Sequence, residues 1–213
     1  MPRKKGASVA YQNKDIFSKM MAEEFCGKSF SAYGIDVPQI VRAEPTNLPE
    51  IEASELRMDN LFELADGSYA IVDYESVYCE ANKIKYLGYL ARILKRLYNQ
   101  KKKFPQIRMI VIYTANVQPK KTNPVLELGG IRLTLTEAFL SKLNPQEIWE
   151  KVFAKVQNGQ KLDNQDMMQL MIYPLIFKNR TDQQEALKRA IDLADKIKDG
   201  RMTTFVLKGL DNM

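Results

Sequence analysis

Apolar positions along this chain follow two periods, and the change from one to the other divides it. Ile84, Leu87, Leu90, Ala91, Leu94, Leu97 and Tyr98 recur every three or four residues, which predicts an amphipathic helix over 80–100 with this stripe buried. Ile16, Phe17, Met20, Met21 and Phe25 predict a second helix over 13–27, with Gly27 as its stop. "IRMIVIYTA", 107–115, is a nearly continuous apolar run of strand length, as expected for a strand covered on both faces. Segments 55–64 and 68–77 read as a hairpin, and 124–136 as another around Gly129–Gly130. Residues 35–53 hold three prolines and predict a loop, with a short edge strand near Gln39–Ala43. From Glu137 onward only helical patterns remain, over 137–143, 145–157, 164–178, 182–199 and 201–208. Asn144–Pro145, Asn158–Gly159 and Asp199–Gly200 separate them. The expected organisation is a basic disordered tail (1–12), an α/β core (13–136) and an α-helical C-terminal appendage (137–213).

The first hairpin carries the candidate chemistry. Its second strand, within "LADGSYAIVDYES" (64–76), is Ala, Ile, Val and Tyr except for Asp73 and Glu75. Strand side chains alternate, so these two acids share a face. A type I turn at Ala65–Asp66, with Gly67 taking positive φ, pairs Leu64 with Ser68. Asp59 then stands opposite Asp73, and Arg57 opposite Glu75. A two-residue turn at Asp66–Gly67 would instead set Asp59 against Tyr74. In the first register, Asp59, Asp73 and Glu75 form an acidic cluster that needs a compensating charge. A divalent cation is one candidate, and pairing with Arg57 or a lysine is the other.

Composition narrows the chemistry. The 213 residues contain no histidine and two cysteines, Cys26 and Cys79. Histidine triads and structural zinc sites are therefore excluded, and carboxylates, lysines, tyrosines and hydroxyls remain. No disulfide framework is expected, which fits a cytoplasmic location. No apolar run is long enough to predict a membrane span. The net charge of +6 permits a nucleic-acid partner.

"RMDNLFELADGSYAIVDYES" followed by "NKIKYLGYLARILKRLY" resembles the PD-(D/E)xK nuclease superfamily. Within it, the pattern is similar to the branch of bacterial recombination-promoting nucleases and putative transposases. The resemblance covers residues 13–115, and the helical tail is similar to that branch's C-terminal region. It implies a restriction-endonuclease-like core, with a mixed sheet flanked by helices, that cuts DNA with Mg²⁺ or Mn²⁺. The family's first acid maps to Asp59 and its second to Asp73 or Glu75, and Glu24 on the first helix matches an acid that often helps hold the metal. The Lys, or Gln in this branch, expected two residues after the second acid is absent: Glu75 or Val77 stands there. In some members that lysine has moved to the next helix, which points to Lys83 or Lys85.

Lys85, Arg92 and Arg96 fall on one line of the 80–100 helix, with Lys95 beside them. This basic stripe, expected opposite the apolar one, would either track phosphates or form a solvated face. Tyr74, Tyr78, Tyr86 and Tyr89 read as packing between sheet and helix, with base stacking as the other use. Trp149 and Met167–Met168 read as core or as a contact of a homodimer formed through the helical region. The functional readings are a Mg²⁺-dependent endonuclease with Asp59, Asp73, Glu75 and Lys85 as its catalytic set, an inactive relative that binds DNA or assembles with proteins, and a structural unit whose acids are salt-bridged.

Overall fold

The computed structural model describes residues 27, 30–44, 60–198 and 200–211. The expected 1–12 tail, residues 13–26 of the expected 13–27 helix, and the candidate acids Glu24 and Asp59 lie outside the described residues. The remaining elements form an α/β structure around a five-stranded mixed sheet.

Strands β1 (Ile40–Glu44), β2 (Asn60–Leu64), β3 (Tyr69–Glu75), β4 (Ile107–Tyr113) and β7 (Thr136–Phe139) lie side by side in that order. β1–β2 and β2–β3 are antiparallel, whereas β3–β4 and β4–β7 are parallel. A parallel neighbour requires a crossover. Helix α1 (Asn82–Lys101) supplies it between β3 and β4. Between β4 and β7 the chain forms a separate two-stranded ribbon, β5 (Val125–Glu127) and β6 (Arg132–Thr134), the second expected hairpin.

The first turn has the predicted three-residue form. Gly67 sits at φ +77°, and the Leu64 amide donates to the Ser68 carbonyl at 2.8 Å. The ladder runs Glu63 to Tyr69, Phe62 to Ala70 and Leu61 to Ile71, which rules out the two-residue alternative. Asp66 fixes the turn by accepting from the Ser68 amide at 2.9 Å and its hydroxyl at 2.5 Å. Because a side chain at Gly67 meets left-handed strain, Gly67→Ala should cost about 1 kcal/mol. Urea unfolding measures this, and an unchanged midpoint would mean that the turn relaxes without strain.

Each sheet face buries one core. On one face, Phe62, Ala70, Val72, Ile110 and Ile112 pack with the C-terminal helices. These are α2 (Pro145–Gln157), α3 (Asn164–Ile172), α4 (Arg180–Ala194) and α5 (Gly200–Asp211). Three of them start where short polar side chains accept from backbone amides: Asn144, Asp163 and Asn179. The helices share the sheet's core rather than standing apart from it. On the other face, Leu61, Ile71, Met109 and Val111 pack under Tyr86, Tyr89, Ile93 and Leu97 of α1. β4 is covered on both sides, as its apolar run requires.

Two expectations are corrected. Residues 137–143 are not helical: Thr136–Phe139 is strand β7, followed by a 3-10 turn at Leu140–Lys142. In addition, α1 is rotated from its predicted phase. It buries Lys83, Tyr86, Tyr89, Ile93 and Leu97, while Ile84, Ala91 and Tyr98 face outward. Tyrosines remove more apolar area than the aliphatic residues they displace, and burying them is tolerable when the hydroxyl finds a partner. Tyr86 finds one in Glu75.

Candidate functional site

β3 ends at the sheet edge where β4 and β7, parallel to it, also end. The carboxyl ends of parallel strands are where α/β sheets commonly place ligands. Asp73 and Glu75 project there on the face covered by α1. Six residues separate Glu75 from α1, whose first turns fold back over the two acids.

Lys85 is the centre of the arrangement. Its Nζ donates to Asp73 Oδ2 at 2.6 Å and to Glu75 Oε1 at 2.9 Å. Glu75 Oε1 also accepts from Asn82 Nδ2 at 2.7 Å and from the Tyr86 hydroxyl at 3.2 Å. The ammonium lies 5.0 Å from the centre of the Tyr86 ring and 5.9 Å from that of Tyr89. Three donors thus fix one oxygen of Glu75, while aromatic faces cradle the cation.

The electrostatics follow from burial. Desolvation and the Asp73 charge push the Glu75 carboxyl above the usual carboxylate range, and Lys85 and Tyr86 pull it back in part. For Lys85, burial favours the neutral amine, but the charge and hydrogen bond of Asp73, together with Glu75, hold it well above the ordinary lysine range. Lys85 therefore stays cationic across the physiological range. Burial, then the charges of Asp73 and Glu75, raise Tyr86 as well, so its hydroxyl remains a donor.

Of the two lysines on the next helix, only Lys85 reaches the acids. Lys83 is buried and turned toward the ribbon, where it donates to the Val125 carbonyl at 2.9 Å and to Glu80 at 2.5 Å. It anchors β5 to the start of α1. Arg92 and Arg96 continue the line of Lys85, about two and three turns farther along. They are half-buried and flank the packed face, so the stripe does not lie opposite it; Lys95 is exposed. Tyr86 and Tyr89 pack between helix and sheet, whereas Tyr74 lies on the opposite face, its hydroxyl 2.9 Å from that of Tyr33.

The structure adds an acid that the sequence pattern hid. Glu137 on β7 stands in register with Val111, which stands in register with Asp73. It is half-buried and accepts from the Thr122 hydroxyl at 2.9 Å. Burial raises its proton affinity, and Thr122 and Tyr113 oppose the rise. Tyr113, in register with Glu75, is itself held above the ordinary tyrosine range by burial and by the charges of Glu137 and Glu75. With 137–143 read as helical, no alternation pointed to this position.

Two hard carboxylate donors on one face suit Mg²⁺ or Mn²⁺, which usually take one or two carboxylates with waters and substrate phosphate. Among the described residues, no three acidic, histidine or cysteine side chains gather as a ligand set. Also among the described residues, no helix is long and apolar enough to cross a membrane. Compared with family models, with curated proteins and with solved structures, the chain gives no match.

Proposed function

We propose that Asp73, Glu75 and Lys85 form the centre of a Mg²⁺-dependent hydrolase of DNA phosphodiester bonds, built on a restriction-endonuclease-like core. The observation that carries this reading is the Lys85 ammonium, held between two strand carboxylates by a helix that follows them. It fills from α1 the role of the lysine that the superfamily pattern places on the strand and that this chain replaces with Glu75.

In this reading Asp73 and Glu75 hold the ion, joined by Asp59 as the resemblance implies. A bound divalent ion would polarise the scissile phosphate and acidify a water. Lys85 supports the phosphate's developing charge and fixes both acids. Glu75 positions that water, whose proton leaves to solvent. Asn82 and Tyr86 aim Glu75 by holding one of its oxygens.

Nicking of supercoiled plasmid with Mg²⁺ or Mn²⁺ tests the proposal. DNA binding without metal-dependent nicking would favour the second reading, an inactive DNA-binding relative. The two hydrogen bonds of Lys85, one to each acid, support that alternative, because its charge offsets one of their two negative charges without an ion.

Arg92 and Arg96 extend the cationic line away from the acids and would track the phosphate backbone. Replacing both by Ala should weaken DNA binding about equally for all sequences. It should also flatten the salt dependence by about one unit of log–log slope per lost contact. Titration at several salt concentrations measures this, and an unchanged slope would remove these residues from the interface.

A further inference from the structure

Helix α1 has a second apolar face that the described residues leave largely open. Ile84, Leu87, Ala91, Leu94 and Tyr98 are spaced alternately three and four apart, the a/d spacing of a coiled-coil seam. Ile84 is 71% exposed, Tyr98 39% and Phe104 73%. Ala91 is exposed as well, and Leu87 and Leu94 are half-buried. Phe104 stacks on Tyr98 with ring centres 4.6 Å apart and so prolongs the seam past the helix end. This face points about a third of a turn away from the residues packed on the sheet. It is also separate from the line of Lys85, Arg92 and Arg96. Burial in this fold accounts for Leu87, which packs against the core under α1, but not for Ile84, Ala91 and Tyr98, and phosphate contact does not require them.

We propose that this face is the interface of a two-fold dimer in which α1 pairs antiparallel with α1 of a second copy. This inference is independent of the hydrolase reading. The seam is self-complementary in that sense, as a two-fold contact must be. One register sets Ala91 against the second copy's Leu94 and Leu87 against its Tyr98, and symmetry repeats both pairs. Small against large is the combination that lets facing side chains interlock.

Charge selects the same orientation. α1 contains no acidic residue, and its C-terminal end is basic: Lys101, Lys102 and Lys103. Side by side in parallel, two copies would bring these ends together. Antiparallel, each basic end comes near the other copy's Glu80, an exposed acid just before the helix that Lys83 and Tyr78 of its own copy already hold, and the helix dipoles oppose. Among the seam residues none is charged, so no like charges face each other at its centre.

Sedimentation velocity from about 1 to about 200 µM protein should show wild type passing from monomer to dimer. Ala91→Lys and Leu94→Glu should each raise the dissociation constant by about two orders of magnitude, because each buries two unpaired charges in the seam. Mixed in equal amounts, the two variants should form a heterodimer. There the introduced lysine of one copy faces the introduced glutamate of the other, and the symmetry-related contact keeps its native Ala91 and Leu94. Thermal melts of each variant establish that it is folded. Ile84→Lys, at an exposed seam position that this register sets against the second copy's Lys101, replaces either variant that is not, and is tested alone for loss of the dimer. Wild type that stays monomeric at the highest concentration overturns the proposal. So does a dimer that survives both single changes, or a folded mixture that fails to associate.

Discussion

Lys85→Met is expected to destabilise the fold by about 3 kcal/mol, at the lower end of the range for removing one partner of a buried ion pair. Its Nζ lies 2.6 Å from a carboxylate whose side chain is 6% exposed and 2.9 Å from one that is 20% exposed, while its own side chain is 24% exposed. Methionine fills similar volume, so the loss reports charge rather than packing. Two carboxylates would then face each other with Asn82 and Tyr86 as the remaining donors to Glu75. The melting temperature should fall by roughly 10 °C.

The pH dependence has a definite sign. In the wild type the Lys85 pKa is raised in the folded state, so its contribution is complete at neutral pH and disappears only on strongly alkaline titration. Glu75 is raised too, so the folded protein gains stability from it as pH falls through its folded pKa. Without Lys85 that proton affinity rises further. The folded variant therefore binds more protons than wild type, and its deficit should shrink between about pH 8 and about pH 5. Adding Glu75→Gln should recover part of the loss, a coupling that a double-mutant cycle measures. A variant as stable as wild type at every pH would mean that the acids are solvated and the ammonium adds nothing.

The second large effect is on chemistry. Asp73→Asn is expected to lower metal-dependent nicking by at least about 100-fold, since even residues behind a metal's direct ligands matter by 10- to 100-fold. Asparagine keeps the shape and still accepts from Lys85, so the fold should survive. The same substitution should remove the stabilisation by metal. A ligand at about 100 times its dissociation constant adds about 2.7 kcal/mol to the wild type. That raises its melting temperature by roughly 5–10 °C. A wild type whose melting temperature does not move in millimolar Mn²⁺, or an Asp73→Asn variant that nicks normally, would remove Asp73 from the metal site.

Several features were determined by the sequence itself, and each is local. The turn at 64–68 is encoded by Asp66 and Gly67, because an aspartate that bonds its own backbone and a residue free to take positive φ leave one loop length favoured. That turn set the ladder, and the two-residue side-chain period then put Asp73 and Glu75 on one face. β4 was visible as an apolar run, and α2 as a pattern beginning at Asn144–Pro145.

What only the tertiary structure decided depends on contacts distant in the chain. α1 is apolar around much of its circumference, so periodicity allowed more than one phase, and packing of Tyr86 and Tyr89 on the sheet chose it. That choice settled which lysine meets the acids: two residues apart on a helix point to nearly opposite sides, so Lys83 and Lys85 could not both reach them. The same rotation left Ile84, Ala91 and Tyr98 outside. Glu137 reached the row of Asp73 because a four-residue strand paired in parallel with β4, across a connection of more than twenty residues. So short a strand has too few alternations to announce itself, and its partner, not its own sequence, made it one.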